Sequence, residues 1–352
     1  MGGDAGFAPR QVVGPRRRVS MADVAARAGV SGQTVSRVVN GSPRVDPATR
    51  ARIEQAMAVL GYRPHRAARA LRTGRTQTVG LVATSLAQVG NSRMLQAVAD
   101  AAAARSYALV VVTIRPDEGI AGAFERLRDQ GVDGAIVLNE ATVLAREADA
   151  PVGLELVVVD SPEDGRFPSV QADHRGGAGT ATAHLLAEGH DTVWHVAGPG
   201  HSFAATERER GWRDALTAAG RVVPEVLRGD WTAESGYAAG RMLAETALGI
   251  AAPGVTAVFV GNDQMALGVL RAFADRGLDV PGDVSVIGFD DLAEAAQFRP
   301  PLTTVRQDFD AIGERALGLL VDRIERAAPG NEHPDAVLIP TELVARASTA
   351  AR

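Results

Sequence analysis

Gln33 and Arg37 stand four residues apart, a spacing that places two side chains on one face of a helix. Gln bonds the edge of adenine through two hydrogen bonds, and Arg does the same for guanine. A second set of polar residues, Asn139, Asp160, Asn262 and Asp290, ends successive apolar runs. In open α/β sheets ligands sit outside the carboxyl ends of the strands, so these amides and carboxylates mark where a site would form. Taken singly, each is as well suited to capping a helix or holding a loop. Other constellations are weak. Asp290 and Asp291 are adjacent, so on a strand they point to different sides and do not share a site. AGPGHS (197–202) has neither the Lys-Ser/Thr ending of a phosphate loop nor dinucleotide-site Gly spacing. His195 and His201 have no ligand spacing, and the absence of Cys removes disulfides, Cys-based zinc sites and thiol catalysis. No catalytic residue, metal or cofactor is expected.

Gln33 and Arg37 need a rigid helical support, and the flanking residues supply one. Val24 and Ala28 give a first helix, Met21 to Ala28, one buried face. Gly29 suits a sharp turn, and Ser31 is a good N-cap. The second helix turns Val35, Val38 and Val39 inward and Gly32, Gln33, Ser36 and Arg37 outward. Residues Val19 to Asn40 thus read as a DNA-reading helix-turn-helix. Asp46-Pro47 starts a third helix with Ile53, Met57 and Leu60 as its apolar stripe, and Gly61 ends it. After Tyr62-Arg63-Pro64 comes HRAARALRTGRTQ (65–77), rich in Ala and Arg with Leu71 as its one large apolar residue. It is too short to be a stable helix by itself, and Gly74 suggests a joint.

The strand-end residues imply a different architecture. Val-rich runs at 79–86, 108–114, 132–139, 154–160, 192–199, 257–263 and 284–290 alternate with helix-length segments. That pattern predicts parallel strands covered on both faces. The Asp173–Gly177 region reads as a crossing between subdomains, with a second near Asp290–Gln307. The domains expected are a disordered tail (1–18), a helix-turn-helix domain (19–63), a hinge helix and linker (64–77) and an α/β core (78–352). Within the core, one subdomain takes about 78–173 and 307–336, the other about 174–306 and 337–348.

Charge separates the same regions. Between Arg16 and Arg75 there are thirteen Arg against three acidic residues, a net +10 in a chain of net charge −5. A basic head on an acidic body fits a polyanion-binding module whose body does not adhere to DNA. The 352 residues suffice for two or three domains, and 46% hydrophobic residues supply a large core. No apolar run is long enough for a membrane span, and MGGDAGFAPRQVVGPRRR lacks the apolar stretch of a secretion signal. A cytoplasmic protein is expected.

The blocks DVAARAGVSGQTVSRVVN (23–40), AGP with Arg208 (197–208), GDWTAESGY (229–237), NDQMALG (262–268), GFDD (288–291) and PPLTTVRQDF (300–309) resemble the LacI/GalR family of transcriptional repressors. The pattern is nearer the family's lactose-responsive members than its purine-responsive ones, and extends from Val19 to about Ser348. The resemblance implies a helical headpiece, a hinge helix that folds on DNA, and a two-subdomain core like that of periplasmic sugar-binding proteins. By resemblance Gln33 and Arg37 read base edges, Thr34, Ser36 and Asn40 lie near phosphates, and Ser31 is among the DNA contacts. Tyr62, His65 and Ala68 join the DNA contacts, and Leu71 wedges into the minor groove, where an apolar insertion kinks the duplex. Gly32 stands where the lactose-responsive pattern has a Tyr, so the operator sequence does not carry over.

The resemblance also assigns an effector site. Asp160, Arg208, Asn262, Asp290 and Gln307 would hold a sugar's hydroxyls, with Asn139 beside them. Trp231 would offer a stacking face and Phe309 an apolar wall. Gln88, Gly90 and Asn91 depart from the more apolar pattern on the aglycone side, and Ala204 stands where the pattern has a Ser. The implied protein is a repressor induced by a galactoside or related glycoside, acting as a homodimer on a pseudo-palindromic double-stranded operator. A dimer is expected because no Leu heptads follow VLIPTELVARAS before Arg352. The alternatives are a regulator with a purine or other non-sugar corepressor, and a sugar-binding protein with no DNA role.

Overall fold

The computed structural model describes residues 19–39, 42–62, 74–115, 117–149, 151–249, 254–325 and 336–352. The N-terminal tail, Asn40, and most of the hinge segment with His65, Ala68 and Leu71 lie outside the described residues. The chain divides into two units, 1–76 and 77–352.

The first unit holds three short helices. In α1 (Met21–Ala28) Ser20 Oγ accepts from the Asp23 amide while Asp23 accepts from the Ser20 amide, a reciprocal cap. Gly29, at φ 64°, ends α1 in the left-handed region. Ser31 Oγ then accepts from the Thr34 amide at the start of α2 (Gly32–Val39). Asp46 caps α3 (Pro47–Leu60) through the Thr49 amide, and Gly61 closes it. Val24, Val35 and Ile53, one from each helix, are fully buried against one another. Each such burial contributes about 1.5–3 kcal/mol, enough to hold helices that would be marginal alone. The stripe expected on α3 is shifted: Ala56 is buried with Ile53, whereas Met57 and Leu60 are only partly covered.

The second unit is built on two six-stranded sheets. The first has β1 (Thr78–Ala83), β2 (Ala108–Thr113), β3 (Gly134–Leu138), β4 (Glu155–Val159), β5 (Ser169–Ala172) and β11 (Ala336–Ile339), in the order 11-5-4-3-1-2, all parallel. Helices α4 (Val89–Ala104) and α11 (Phe309–Glu325) cover one face; α5 (Gly119–Asp129) and α6 (Ala141–Glu147) cover the other. Alternation along β1 shows why both faces must be covered: Val79 and Leu81 enter one core and Val82 the opposite one.

The second sheet joins β6 (Trp194–Ala197), β7 (Leu227–Arg228), β8 (Ala257–Val260), β9 (Ser285–Asp290), β10 (Thr303–Arg306) and β12 (Glu342–Val344) in the order 12-10-9-8-6-7. Its helices are α7 (His174–Ala187), α8 (Phe203–Ala218), α9 (Ala233–Leu248) and α10 (Asp263–Asp275). Strand β12 runs antiparallel to β10, a departure from the all-parallel expectation. The chain crosses between sheets at Asp173, again between Arg306 and Phe309, and finally after Ile339. Pairing of β11 with β5 from Ala336 to Ile339 corrects the last boundary, expected at 336. Periodicity could not place that strand, because its residues alternate between exposed and half-buried.

Candidate functional site

On α2, Gln33 and Arg37 are exposed, and Val35 and Val38 are buried beneath them. A buried valine pair thus fixes which face presents the two long polar side chains. Gly32 is exposed with no neighbour within 4 Å of where a Cβ would stand. Ser31 and Thr34 are partly occupied with each other, their hydroxyls 2.9 Å apart. Tyr62, expected among the DNA contacts, is part of the headpiece core, 8% exposed in the cluster with Ile53 and Ala56. The chain doubles back after Gly61, the Tyr62 amide bonding Met57 O, and the ring packs inward.

In the second unit, a cavity with about 520 Å³ of empty space, part of it open to solvent, lies where the ends of both sheets meet. Asn139, Asp160, Arg208, Trp231, Asn262, Asp290, Gln307 and Phe309 all line it. Asn139 and Asp160 follow β3 and β4 of the first sheet. Asn262 and Asp290 come from the ends of β8 and β9 in the second. Four of these residues have left-handed backbone: Asn139 at φ 48°, Asp160 at 54°, Trp231 at 74° and Asp290 at 109°. Asn and Asp tolerate that region better than other side chains, whereas a Trp there is an outlier. Such conformations cost of order 1–3 kcal/mol each and persist where the surroundings over-determine them.

The two carboxylates share a design. Asp290 Oδ1 accepts from Gln307 Nε2 at 2.6 Å and Arg208 Nη2 at 3.3 Å. Asp160 Oδ1 accepts from the Ala172 amide at 3.2 Å and lies 2.9 Å from His174 Nε2. In each, one oxygen is fixed by protein and Oδ2 is left to the cavity. Arg208 is 4% exposed. It donates to Gly261 O, to Asp290 and to His174 Nδ1 at 3.4 Å, and its guanidinium lies 3.8 Å from the Phe289 ring centre. Its remaining N–H groups are available to a ligand. Burial lowers the Arg208 pKa, opposed by Asp290 and Asp160. Burial raises that of Asp290, opposed by Arg208, Gln307 and His174. Mutual neutralisation is what permits both charges at this depth.

Asn262 has a double task. Its Oδ1 caps α10 through the Met265 amide at 2.9 Å, and its Nδ2 donates to Trp231 O at 3.2 Å. That second bond holds the strained Trp231 backbone. The indole itself lies over Gly198, where a Cβ would come within 2.3 Å of ring atoms. Only a glycine in the AGP loop leaves room for the ring. Asn139 Nδ2 donates to Asn91, and Asn91 Nδ2 donates to Ser85 O at 2.8 Å. Asp291 turns the other way from Asp290, onto Arg306 at 2.8 Å and Arg346 at 2.5 Å.

Spacing in the sequence does not single out several residues of this site. His174 sits at the first crossing and was hidden because a lone His carries no spacing. Asp263, beside Asn262, accepts from Thr304 Oγ1 at 2.6 Å and the Leu292 amide at 2.8 Å, tying α10 to the loop after Asp290. Burial, reinforced by the Asp290 charge, pushes its pKa up to about 8. Among the described residues no cluster of His, Asp and Glu is placed to hold a metal ion.

Comparison with known proteins gives matches over nearly the whole length. A model of bacterial regulatory proteins of the lacI family matches residues 20–65, and a periplasmic binding protein-like domain matches 182–349. The HTH-type transcriptional regulator CelR of Thermobifida fusca is 38% identical over 351 residues, covering 95% of this chain and 99% of its own. The lactose operon repressor of Escherichia coli (strain K12) is 36% identical over 339 residues, covering 95% and 91%. Among solved structures, the lac repressor dimer bound to operator and the anti-inducer ONPF superposes with a TM-score of 0.80 at 33% identity, covering 95% of this chain and 100% of that one. A CelR–cellobiose complex gives a TM-score of 0.68 at 36% identity, covering 94% and 100%.

Proposed function

This chain belongs to the lacI family of bacterial regulatory proteins, and from that premise we propose that it is a sequence-specific DNA-binding repressor whose operator affinity is controlled by a small sugar, a galactoside or related glycoside acting as inducer. The observation that carries the sugar reading is the pair Asp160 and Asp290 around Arg208. Two carboxylates, each fixed through one oxygen and open at the other, flank a buried multidentate donor. Vicinal hydroxyls, which both donate and accept, fit that set, and the Trp231 indole offers an apolar ring face.

Asp160 belongs to the first sheet and Arg208 and Asp290 to the second, so one bound sugar binds both subdomains and favours one relative orientation. A ligand shifts that equilibrium only through its differential affinity for the two orientations. If the orientation it favours does not suit the operator, DNA affinity falls, and by linkage DNA lowers sugar affinity equally. The protein acts as a homodimer, as the lac repressor does in its operator complex, and a two-fold dimer reads a pseudo-palindrome. Gln33 and Arg37 read base edges; Thr34, Ser36 and Asn40 approach phosphates, with Ser31 among the DNA contacts; Leu71 wedges into the minor groove. The protein has no enzymatic role. Among the described residues no helix is long and apolar enough to cross a membrane, and we place the protein in the cytoplasm with its DNA.

The test is operator binding with and without ligand. A pseudo-palindromic site selected from random DNA should bind the purified chain, and a glycoside should weaken that binding by about 5- to 150-fold. A chain that bound no duplex would sink the repressor reading. Release by purines alone, or tightening by them, would sink the sugar reading.

A further inference from the structure

On the side of the first sheet, the cavity wall rests on a run of amides whose direction is fixed at one end. Ser85, in the loop after β1, offers its backbone oxygen, which can only accept. Asn91, in the first turn of α4 and 1% exposed, meets that oxygen with Nδ2 at 2.8 Å. The same Nδ2 gives its second hydrogen to Gln88 Oε1 at 3.3 Å. With its amino group committed, Asn91 turns Oδ1 to Asn139, which follows β3 and donates from Nδ2. Each amide thus fixes the orientation of the next. Two atoms are left over, Asn139 Oδ1 and Gln88 Nε2. Both residues line the cavity, and neither atom has a partner among the described residues or is sealed from solvent.

We propose that Asn91 is a specificity-determining residue of the effector site, setting the hydrogen-bond polarity of this wall so that it takes a free hydroxyl and rejects groups that only accept. This rests on the sugar reading of the same cavity. Asn91 acts as a positioning residue, through Asn139 and Gln88. Asn139 presents an acceptor to the ligand and Gln88 a donor. A hydroxyl satisfies both, because it donates one hydrogen and accepts through its lone pairs. An ether oxygen or a fluorine satisfies only Gln88 and sets a second acceptor against Asn139 Oδ1. Without Asn91, the Asn139 amide turns about its last bond and offers Nδ2 or Oδ1 as the ligand requires. The discrimination then disappears while the cavity keeps its other contacts.

The test is calorimetric titration of the full-length protein with methyl β-galactoside, methyl β-glucoside, lactose and cellobiose, then with monofluoro and monodeoxy analogues of whichever binds most tightly. At one ring position of that glycoside, fluorination should weaken binding to the wild type by about tenfold or more, as much as removal of the hydroxyl. In Asn91→Ala and in Asn91→Leu, which keeps more of the side-chain volume, the cost of fluorination there should shrink to within about threefold. At positions facing Asp160 and Asp290 it should stay as in the wild type. Asn139→Ala should likewise abolish the difference between hydroxyl and fluorine at that one position. Cooperative thermal unfolding reports that each variant is folded. A fluorine penalty unchanged in the folded Asn91 variants overturns the proposal. So does a weakening of every analogue by one common factor, which a merely structural role would give. Glycosides that bind but show either result leave the sugar reading standing and sink this one alone. If no glycoside binds the wild type, the sugar reading fails and this proposal with it.

Discussion

His174 Nε2 stands 2.9 Å from Asp160 Oδ1, a close approach that lacks the alignment of a full hydrogen bond, while its Nδ1 accepts from Arg208 Nε at 3.4 Å. Accepting at Nδ1 places the ring proton on Nε2, facing the carboxylate. One buried imidazole therefore spaces a carboxylate of the first sheet from a guanidinium of the second. It sits where the chain first passes between them.

Removing it should loosen both. His174→Ala is expected to weaken sugar binding by about 10- to 100-fold, in line with the 1–3 kcal/mol attached to buried groups left without partners. Calorimetry on the variant, with operator binding in the absence of sugar as the control, checks this. An effector affinity within about twofold of wild type would remove the positioning role.

How much of this was legible beforehand differs by element. The helix-turn-helix could be read because caps and valine spacing are local, and Gly29, Ser31, Asp46 and Gly61 act within a few residues of themselves. The strand-end residues could be read because a Val-rich run stops at each of them. What spacing could not show were partners distant in sequence: His174 between Asp160 and Arg208, or Asp263 beneath Thr304. The burial of Tyr62 was hidden for a similar reason, since the turn that buries its ring depends on the whole headpiece. Strands β5, β10 and β12 escaped because they are three or four residues long and mix polar with apolar positions.

Gly198 should not accept a side chain. A Cβ there would meet the Trp231 ring at 2.3 Å, and the Trp231 backbone that carries the ring is anchored by Asn262 Nδ2 donating to Trp231 O. Gly198→Ala is expected to displace the ring, lowering stability by about 1–3 kcal/mol and reducing sugar affinity. Gly200→Ala in the same loop meets nothing nearer than 3.9 Å and should be tolerated. Thermal unfolding and sugar titration of the pair check this, and equal behaviour of the two variants would argue against a packed indole.

On the recognition helix, Gln33→Ala and Arg37→Ala should each reduce operator affinity by about 1–3 kcal/mol and relax preference at one base pair per half-site. Gly32→Ala is a contrasting case. Nothing lies within 4 Å of the new Cβ, so it should stabilise the headpiece by up to about 1 kcal/mol while leaving base preference intact. Binding to operator libraries reads both effects. Unchanged base preference in Gln33→Ala and Arg37→Ala would remove α2 from the DNA interface.

Stability should decline on the alkaline side of neutrality. Burial pushes the Asp263 pKa from 3.8 up to about 8, so the folded protein keeps a proton that the unfolded chain releases above 3.8. That contribution is complete at low pH and is lost as pH rises towards 8. His195, stacked on Phe259, has the opposite sign: burial lowers its pKa from 6.5 to about 4, so stability is lost as pH falls from 6.5 towards 4. Between about 4 and 6.5 the two slopes oppose each other. Between 6.5 and 8 Asp263 acts without that opposition, at about 1.4 kcal/mol per pH unit at most. Asp290, raised by burial, adds to the same side, and His190, lowered by burial, adds to the acid side. Urea unfolding across pH 6.5 to 8 should therefore show falling stability in the wild type and a shallower fall in Asp263→Asn. A wild-type curve flat over that interval would mean that Asp263 is already ionised, its charge held by Thr304 and the Leu292 amide.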